Sequence, residues 1–294
     1  MNATRVKTLI IGVLLLALAG CSAVRLGYNN GPTIAYWWLD SYLDFNGAQA
    51  DRVRAGLDDW FGWHRRTQLP EYAAALAAIG AKAGGPVSAE QVCAWTDEWQ
   101  RRVDRAAERI LPAVARLLPD IAPAQWDRLA QRQAEKLAEA RAEFAPADPA
   151  ERRKGALRRT VDRAETMYGD LEPAQRRLLT GLLAESPFDA DRWLGEREAR
   201  QADLLRTLKS AGAMPPPQRI EALRGLLQRA AQSPEPSTRD YQRRTRDFNC
   251  RAAAQLHNST TPRQREHLRQ RLASWEEDLR ALAAPPPPAA LQSP

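Results

Sequence analysis

Histidine and cysteine are scarce in this chain: three of each occur in 294 residues. That scarcity removes most metal and nucleophile chemistry at once. No Gly-x-Ser-x-Gly elbow, no phosphate-cradling Gly-rich loop and no His-Glu-x-x-His pair is present, so the common hydrolase, nucleotide and zinc-protease sites have no sequence mark. No Cys-x-x-Cys occurs either, which leaves no dithiol redox motif. His64 continues the apolar stripe of its segment and reads as a partly buried, hydrogen-bonded residue. His257 and His267 flank Thr261-Pro262 and could approach across a helix connection, but a metal there would need ligands that the sequence does not mark. The expectation is a non-enzymatic protein with no catalytic residue, no metal and no cofactor. Two further absences bound the fold. No apolar run reaches the roughly 20 residues that span a bilayer, and no segment sustains the period-two alternation of strands.

What is present begins at the N-terminus. Residues 1–20 carry a positive start (Arg5, Lys7), an apolar stretch from Leu9 to Ala19 and small residues before Cys21, the three parts of an export signal. The sequence Leu18-Ala19-Gly20-Cys21 resembles the lipobox of bacterial lipoproteins. That resemblance implies cleavage before Cys21, diacylation of its thiol and acylation of the new amino group with chains of the palmitate class. Two or more chains anchor stably where one would be marginal. By resemblance to known lipoprotein sorting, Ser22 rather than Asp after the lipid cysteine implies the inner leaflet of the outer membrane, facing the periplasm. Residues 21–33 are then a lipidated linker.

Loss of residues 1–20 removes Arg5 and Lys7 and lowers the formal charge from +7 to +5. Most arginines alternate with Glu or Asp, as in Arg101-Arg102-Val103-Asp104-Arg105, and read as solvated helix faces. A nucleic-acid partner is not expected; the membrane and an envelope protein are. With Cys21 lipidated, Cys93 and Cys250 remain, in a compartment that oxidises thiols. Both lie beside the apolar stripes of their segments rather than on them, which favours a bridge between two helices.

Nearly every segment between proline clusters has helical periodicity, so the chain is expected to be all-α: an elongated bundle of about ten helices arranged as hairpins. Leu268, Leu272, Trp275, Leu279 and Leu282, spaced 4, 3, 4 and 3, make one narrow seam. Ala50, Val53, Leu57, Trp60 and His64 make another, with a break expected at Pro70. Further breaks are expected at Gly84-Gly85-Pro86, at 145–149, at 211–217 and at 233–237. The helical domain covers 34–284, with a possible lobe boundary near residue 146 and a disordered Pro-rich tail over 285–294.

The helix starts repeat one motif: an apolar residue, a cap or small residue, two positions often with Pro, then Gln. Full copies end at Gln49, Gln91, Gln125 and Gln175, and weaker ones at Gln218 and Gln264. Its physical content is helix initiation, with Gln at the third helical position reaching back to the cap amide. The spacings of 42, 34, 50, 43 and 46 residues are too irregular for a solenoid. These starts are similar to those of the small periplasmic helical proteins typified by Spy and CpxP, and that likeness implies chaperone-like or stress-linked binding of unfolded clients.

Nine tryptophans complete the pattern. Trp37 and Trp38 stand close to the lipid cysteine, where they could meet the membrane interface or pack inward; core packing is the favoured expectation. Trp60, Trp63, Trp95, Trp99, Trp126, Trp193 and Trp275 are expected as core pieces. Tyr28-Asn29-Asn30, Trp37-Trp38-Leu39-Asp40 and Trp60-Phe61-Gly62-Trp63-His64-Arg65-Arg66 together resemble a family of uncharacterised bacterial lipoproteins over nearly the whole mature chain. The resemblance supports export and helicity and implies no activity. The functional expectation is a binding or scaffolding lipoprotein of the cell envelope.

Overall fold

The computed structural model describes residues 23–284. The signal segment, Cys21 with its lipidation site, and the Pro-rich tail lie outside the described residues. Within them the chain forms eleven α-helices and no strand. They are α1 (Ala23–Asn29), α2 (Gly31–Leu43), α3 (Gly47–Lys82), α4 (Ala89–Leu117), α5 (Pro123–Phe144), α6 (Pro149–Tyr168), α7 (Pro173–Glu185), α8 (Ala190–Gly212), α9 (Pro216–Ala231), α10 (Pro236–Asn258) and α11 (Pro262–Ala283), with one 3₁₀ turn at Leu118–Asp120. The all-α expectation holds, and each of the four expected breaks outside α3 takes in a junction between two helices.

Local chemistry sets these boundaries. Asn46, Ser88 and Thr261 each accept a hydrogen bond from the backbone N–H three residues on, and Gln49, Gln91 and Gln264 accept one from the cap N–H in return. Pro occupies the first turn of seven of the eleven helices, from α5 onward except α8, and of α2, where its missing N–H forfeits no intrahelical bond. At the α1–α2 junction the chain passes so close to α3 that a Cβ on Gly31 would lie 2.5 Å from the Phe61 ring. Only glycine fits there.

The break expected at Pro70 is not present. Helix α3 runs 36 residues with Pro70 inside it. A proline costs an interior helix one hydrogen bond and a steric clash, about 3 kcal/mol, and here tertiary packing outweighs that cost. Leu69, Tyr72 and Ala73 beside it are buried, with Leu69 and Tyr72 packed against Leu282 of α11. Helix α4 carries Pro112 inside in the same way.

Helices from the two ends of the sequence interleave. Helix α11 lies along α3, while α9 and α10 pack on α4, α8 on α5, and α6 on both α7 and α11. Apolar burial is spread over five strips. The largest joins Leu111, Leu118, Trp126, Leu129, Ala211 and Leu223 from α4, the 3₁₀ turn, α5, α8 and α9. Cys93 of α4 and Cys250 of α10 are bonded as a disulfide with their Cα atoms 5.4 Å apart, and Arg246 of α10 pairs with Asp97 of α4 one turn away.

Two aromatic expectations need correction. Trp37 and Trp38 are 65% and 59% exposed, because α2 turns Tyr36 and Leu39 onto α3, and Tyr42 and Leu43 toward α5, and leaves these two on the remaining face. Of the seven tryptophans expected in the core only Trp126 is buried; Trp99 is 49% exposed and the others are half-buried.

Candidate functional site

The seam of α11 does more than pack. Leu282 seals against Leu69 and Tyr72, while Leu268, Leu272, Trp275 and Leu279 form one wall of a cavity of about 610 Å³. Leu76 and Ile79 of α3, Val92, Trp95 and Trp99 of α4, Met167 and Tyr168 of α6, and Ala253 and His257 of α10 supply the other walls. Ala83 and Val87 of the α3–α4 connection and Val24 of α1 complete the lining. This volume falls in the range of roughly 300–1,000 Å³ typical of small-molecule sites. Exposed Val24 and Trp99 mark where it opens to solvent.

The imidazole and the phenol in that wall are already engaged. The His257 Nε2 atom lies 2.8 Å from the Gly85 carbonyl, an acceptor, so Nε2 donates and Nδ1 is left to accept from the Tyr168 hydroxyl at 3.1 Å. Burial lowers the His257 pKa; the Gly85 bond opposes that shift and the Arg265 charge adds to it. Burial raises the Tyr168 pKa to about 12 against the lowering charge of Arg265. Near neutral pH both side chains are therefore uncharged. What faces the cavity is hydrocarbon and aromatic ring, with no charge to attract an ion.

Two devices hold the walls. The Cys93–Cys250 disulfide joins α4 to α10 next to Val92 and two residues from Trp95. At the mouth, Arg25 of α1 donates through Nε to Asp278 of α11 at 2.7 Å, and Asp278 is only 3% exposed. An ion pair with one partner that well buried is costly to break, so α1 is fixed with Val24 at the opening. Arg65 adds to the clamp by donating to the Asn29 side chain and the Leu282 carbonyl.

The family model described as a family of unknown function (DUF6279) matches residues 41–242. The chain belongs to that family. The match takes in α3, α4 and α6, hence three of the lining helices, with Pro70 and Cys93, and it ends before Cys250 and α11. It is narrower than the near-complete coverage expected from the sequence resemblance. No curated protein and no solved structure matches the chain.

The remaining sequence candidates fall away from the cavity or serve its frame. His64 is buried in α3, stacked on Trp60 at 4.7 Å and bonded to the Tyr28 hydroxyl at 2.8 Å. His267 lies near Gly169, while His257 is in the cavity wall, so the two flanking histidines face different surroundings. Among the described residues no group of three His, Cys, Asp or Glu is placed to hold a metal. No described helix is long and apolar enough to cross a membrane. Sequence reasoning missed the cavity because its lining comes from six helices; the one visible signal was the narrow seam of α11.

A second apolar feature is the outer face of α2. Ile34, Trp37 and Trp38, at helical spacing, are all exposed there, and Leu26 of α1 is exposed as well. Three of these large apolar side chains share one side of a single helix turn.

Proposed function

We propose that this protein is a non-enzymatic lipoprotein of the bacterial outer membrane, anchored through acylated Cys21 and facing the periplasm, and that it binds the hydrocarbon chain of a lipid in the α3–α4–α10–α11 cavity. One observation carries the reading: a cavity of ligand size lined by hydrocarbon and aromatic rings, whose one histidine and one tyrosine are spent on each other and on a backbone carbonyl. A polar ligand would lose its water there without compensation, whereas each buried CH₂ contributes about 0.8 kcal/mol. The mouth supports the same ligand. Val24 is three residues from Cys21, so anchoring holds the opening close to the bilayer and a chain enters without a long passage through water. The exposed face of α2 then gives the anchored body a second contact, since Trp side chains favour the membrane–water interface.

The test is displacement of an environment-sensitive fluorescent fatty acid from the purified lipidated protein. Saturable binding is expected, abolished by Ala253→Trp, which fills the cavity from an exposed position. Equal binding by both proteins would remove the cavity from the account. Absence of binding in the lipidated form with binding in an unacylated form would mean that the protein's own acyl chain occupies the site.

A chaperone-like role is the second reading. Trp99 and Val103, one turn apart on α4, are both exposed at the cavity mouth side of the helix, and an apolar patch continuous with a cavity suits unfolded clients. Failure to suppress aggregation of any unfolded client removes it.

A further inference from the structure

The second large cavity has the opposite chemistry. It measures about 1040 Å³ and lies between α6, α7, the start of α8 and α10. Arg152, Arg159 and Arg163 recur at helical spacing along one face of α6, and Arg153 and Lys154 add two more cations to the lining. Only two carboxylates, Asp189 and Asp191, line it. Both are committed. Asp189 caps α8 by accepting from the Arg192 N–H, and Asp191 pairs with Arg141 and Arg152. Arg153 and Arg163 have no carboxylate within ion-pair distance among the described residues, so the cavity carries a positive excess that no protein group neutralises.

An aromatic shelf stands beside these cations. Trp193 is 5.0 Å from Phe144 and 6.4 Å from Phe188 between ring centroids, and Phe188 is exposed. The Arg159 guanidinium lies over the Phe144 ring, 4.4 Å from its centroid. A guanidinium offers parallel N–H donors that match a phosphate in bidentate fashion. A singly charged carboxylate would leave most of the excess unmatched; a phosphate ester, with up to two charges and an organic part to rest on Phe188, satisfies both halves of the site.

We propose that this cavity binds a phosphate ester, with Arg163 as its principal phosphate donor, Arg153, about 15 Å away along α6, adding a second positive charge at longer range, and Phe188 as the surface for the organic group. The site is separate from the apolar cavity and does not depend on what that cavity holds. Neither does it depend on lipidation.

Isothermal titration of the full lipidated protein in neutral detergent tests the assignment, with glucose 1-phosphate, inorganic phosphate and dihexanoyl phosphatidylglycerol as three probes. Saturable, salt-sensitive binding of at least one ester is expected, weakened about tenfold or more in Arg153→Gln/Arg163→Gln. Phe188→Ala should weaken ester binding and leave inorganic phosphate unchanged. Preference for the sugar ester assigns a soluble ligand, and preference for the short-chain lipid assigns a headgroup. The double variant should unfold at the wild-type temperature, because neither arginine holds another part of the protein. Binding that is equal in wild type and double variant, or absent for all three probes at millimolar concentration, overturns the proposal.

Discussion

Gln175 and Gln264 hold each other by reciprocal amide hydrogen bonds, Nε2 of each to Oε1 of the other at 2.7 and 2.9 Å, with Gln175 only 2% exposed. Each also serves its neighbourhood. Each Oε1 accepts the cap N–H of its own helix, and the Nε2 atoms donate to the Ser259 and Asp170 carbonyls. Gln49 and Gln125 repeat the arrangement between the starts of α3 and α5. The motif that starts four helices therefore also joins them in pairs, α3 to α5 and α7 to α11.

Replacing Gln264 by Leu should cost about 1–3 kcal/mol, because the Gln175 amide is then buried with bonds unmade. Removing both amides together should cost less than the sum of the single variants. Urea unfolding of the two single variants and the double checks this, and simple additivity would show that the two side chains do not act as a pair.

The Cys93–Cys250 bridge closes a separation of 157 residues, for which the loop-entropy account gives about 4–5 kcal/mol as an upper figure. Peptide mass spectrometry of protein taken directly from cells, under thiol-blocking conditions, should find the two cysteines linked. Reduction should lower the unfolding midpoint. Finding both thiols free would contradict the bridge.

Trp37→Ala and Trp38→Ala should change folding stability by no more than about 0.5 kcal/mol, as for other exposed positions, whereas Leu194→Ala, at a fully buried residue, should cost about 2–5 kcal/mol. In lipidated protein on vesicles, acrylamide should quench Trp37 and Trp38 less than it does in detergent-free solutions of an unacylated form. Equal quenching would deny that α2 meets the membrane.

Stability should depend on pH at both ends. Burial lowers the pKa of His64 and His257 below the unfolded value, so their contribution is present above about pH 6.5 and is lost as pH falls through the lowered folded values. Burial raises Tyr28 and Tyr168 to about 12; their contribution is present below about pH 10 and is lost as pH rises toward 12. Thermal melts across pH should be flat between these windows, and His257→Gln should soften the acid decline. A wild-type melting temperature unchanged from pH 7 to pH 5 would contradict the neutral histidines.

Much of the fold was legible in the residues. Capping chemistry marked the starts at Gln49, Gln91, Gln125, Gln175 and Gln264, and the 4-3-4-3 spacing marked the buried side of α11. What stayed hidden is tertiary. Nothing in the sequence tells that Gln175 meets Gln264, because a capping glutamine keeps one amide free for whatever helix packs there. Pro70 was read from its local cost, and the burial of Leu69 and Tyr72 against α11 overrides it. Trp37 and Trp38 were assigned by size, while exposure followed from α2 packing on α3 and α5 through its other residues. The basic face of α6 was averaged away in the chain's modest net charge; reading Arg152, Arg159 and Arg163 at helical spacing would have found it.

The central claim is that the apolar cavity holds a lipid chain, and native mass spectrometry of the lipidated protein extracted from membranes tests it most directly. The account predicts a species one non-covalent lipid heavier than the acylated chain in wild type, and its loss in Ala253→Trp. Only the covalently acylated mass in wild type, or the same adduct in both proteins, would contradict it.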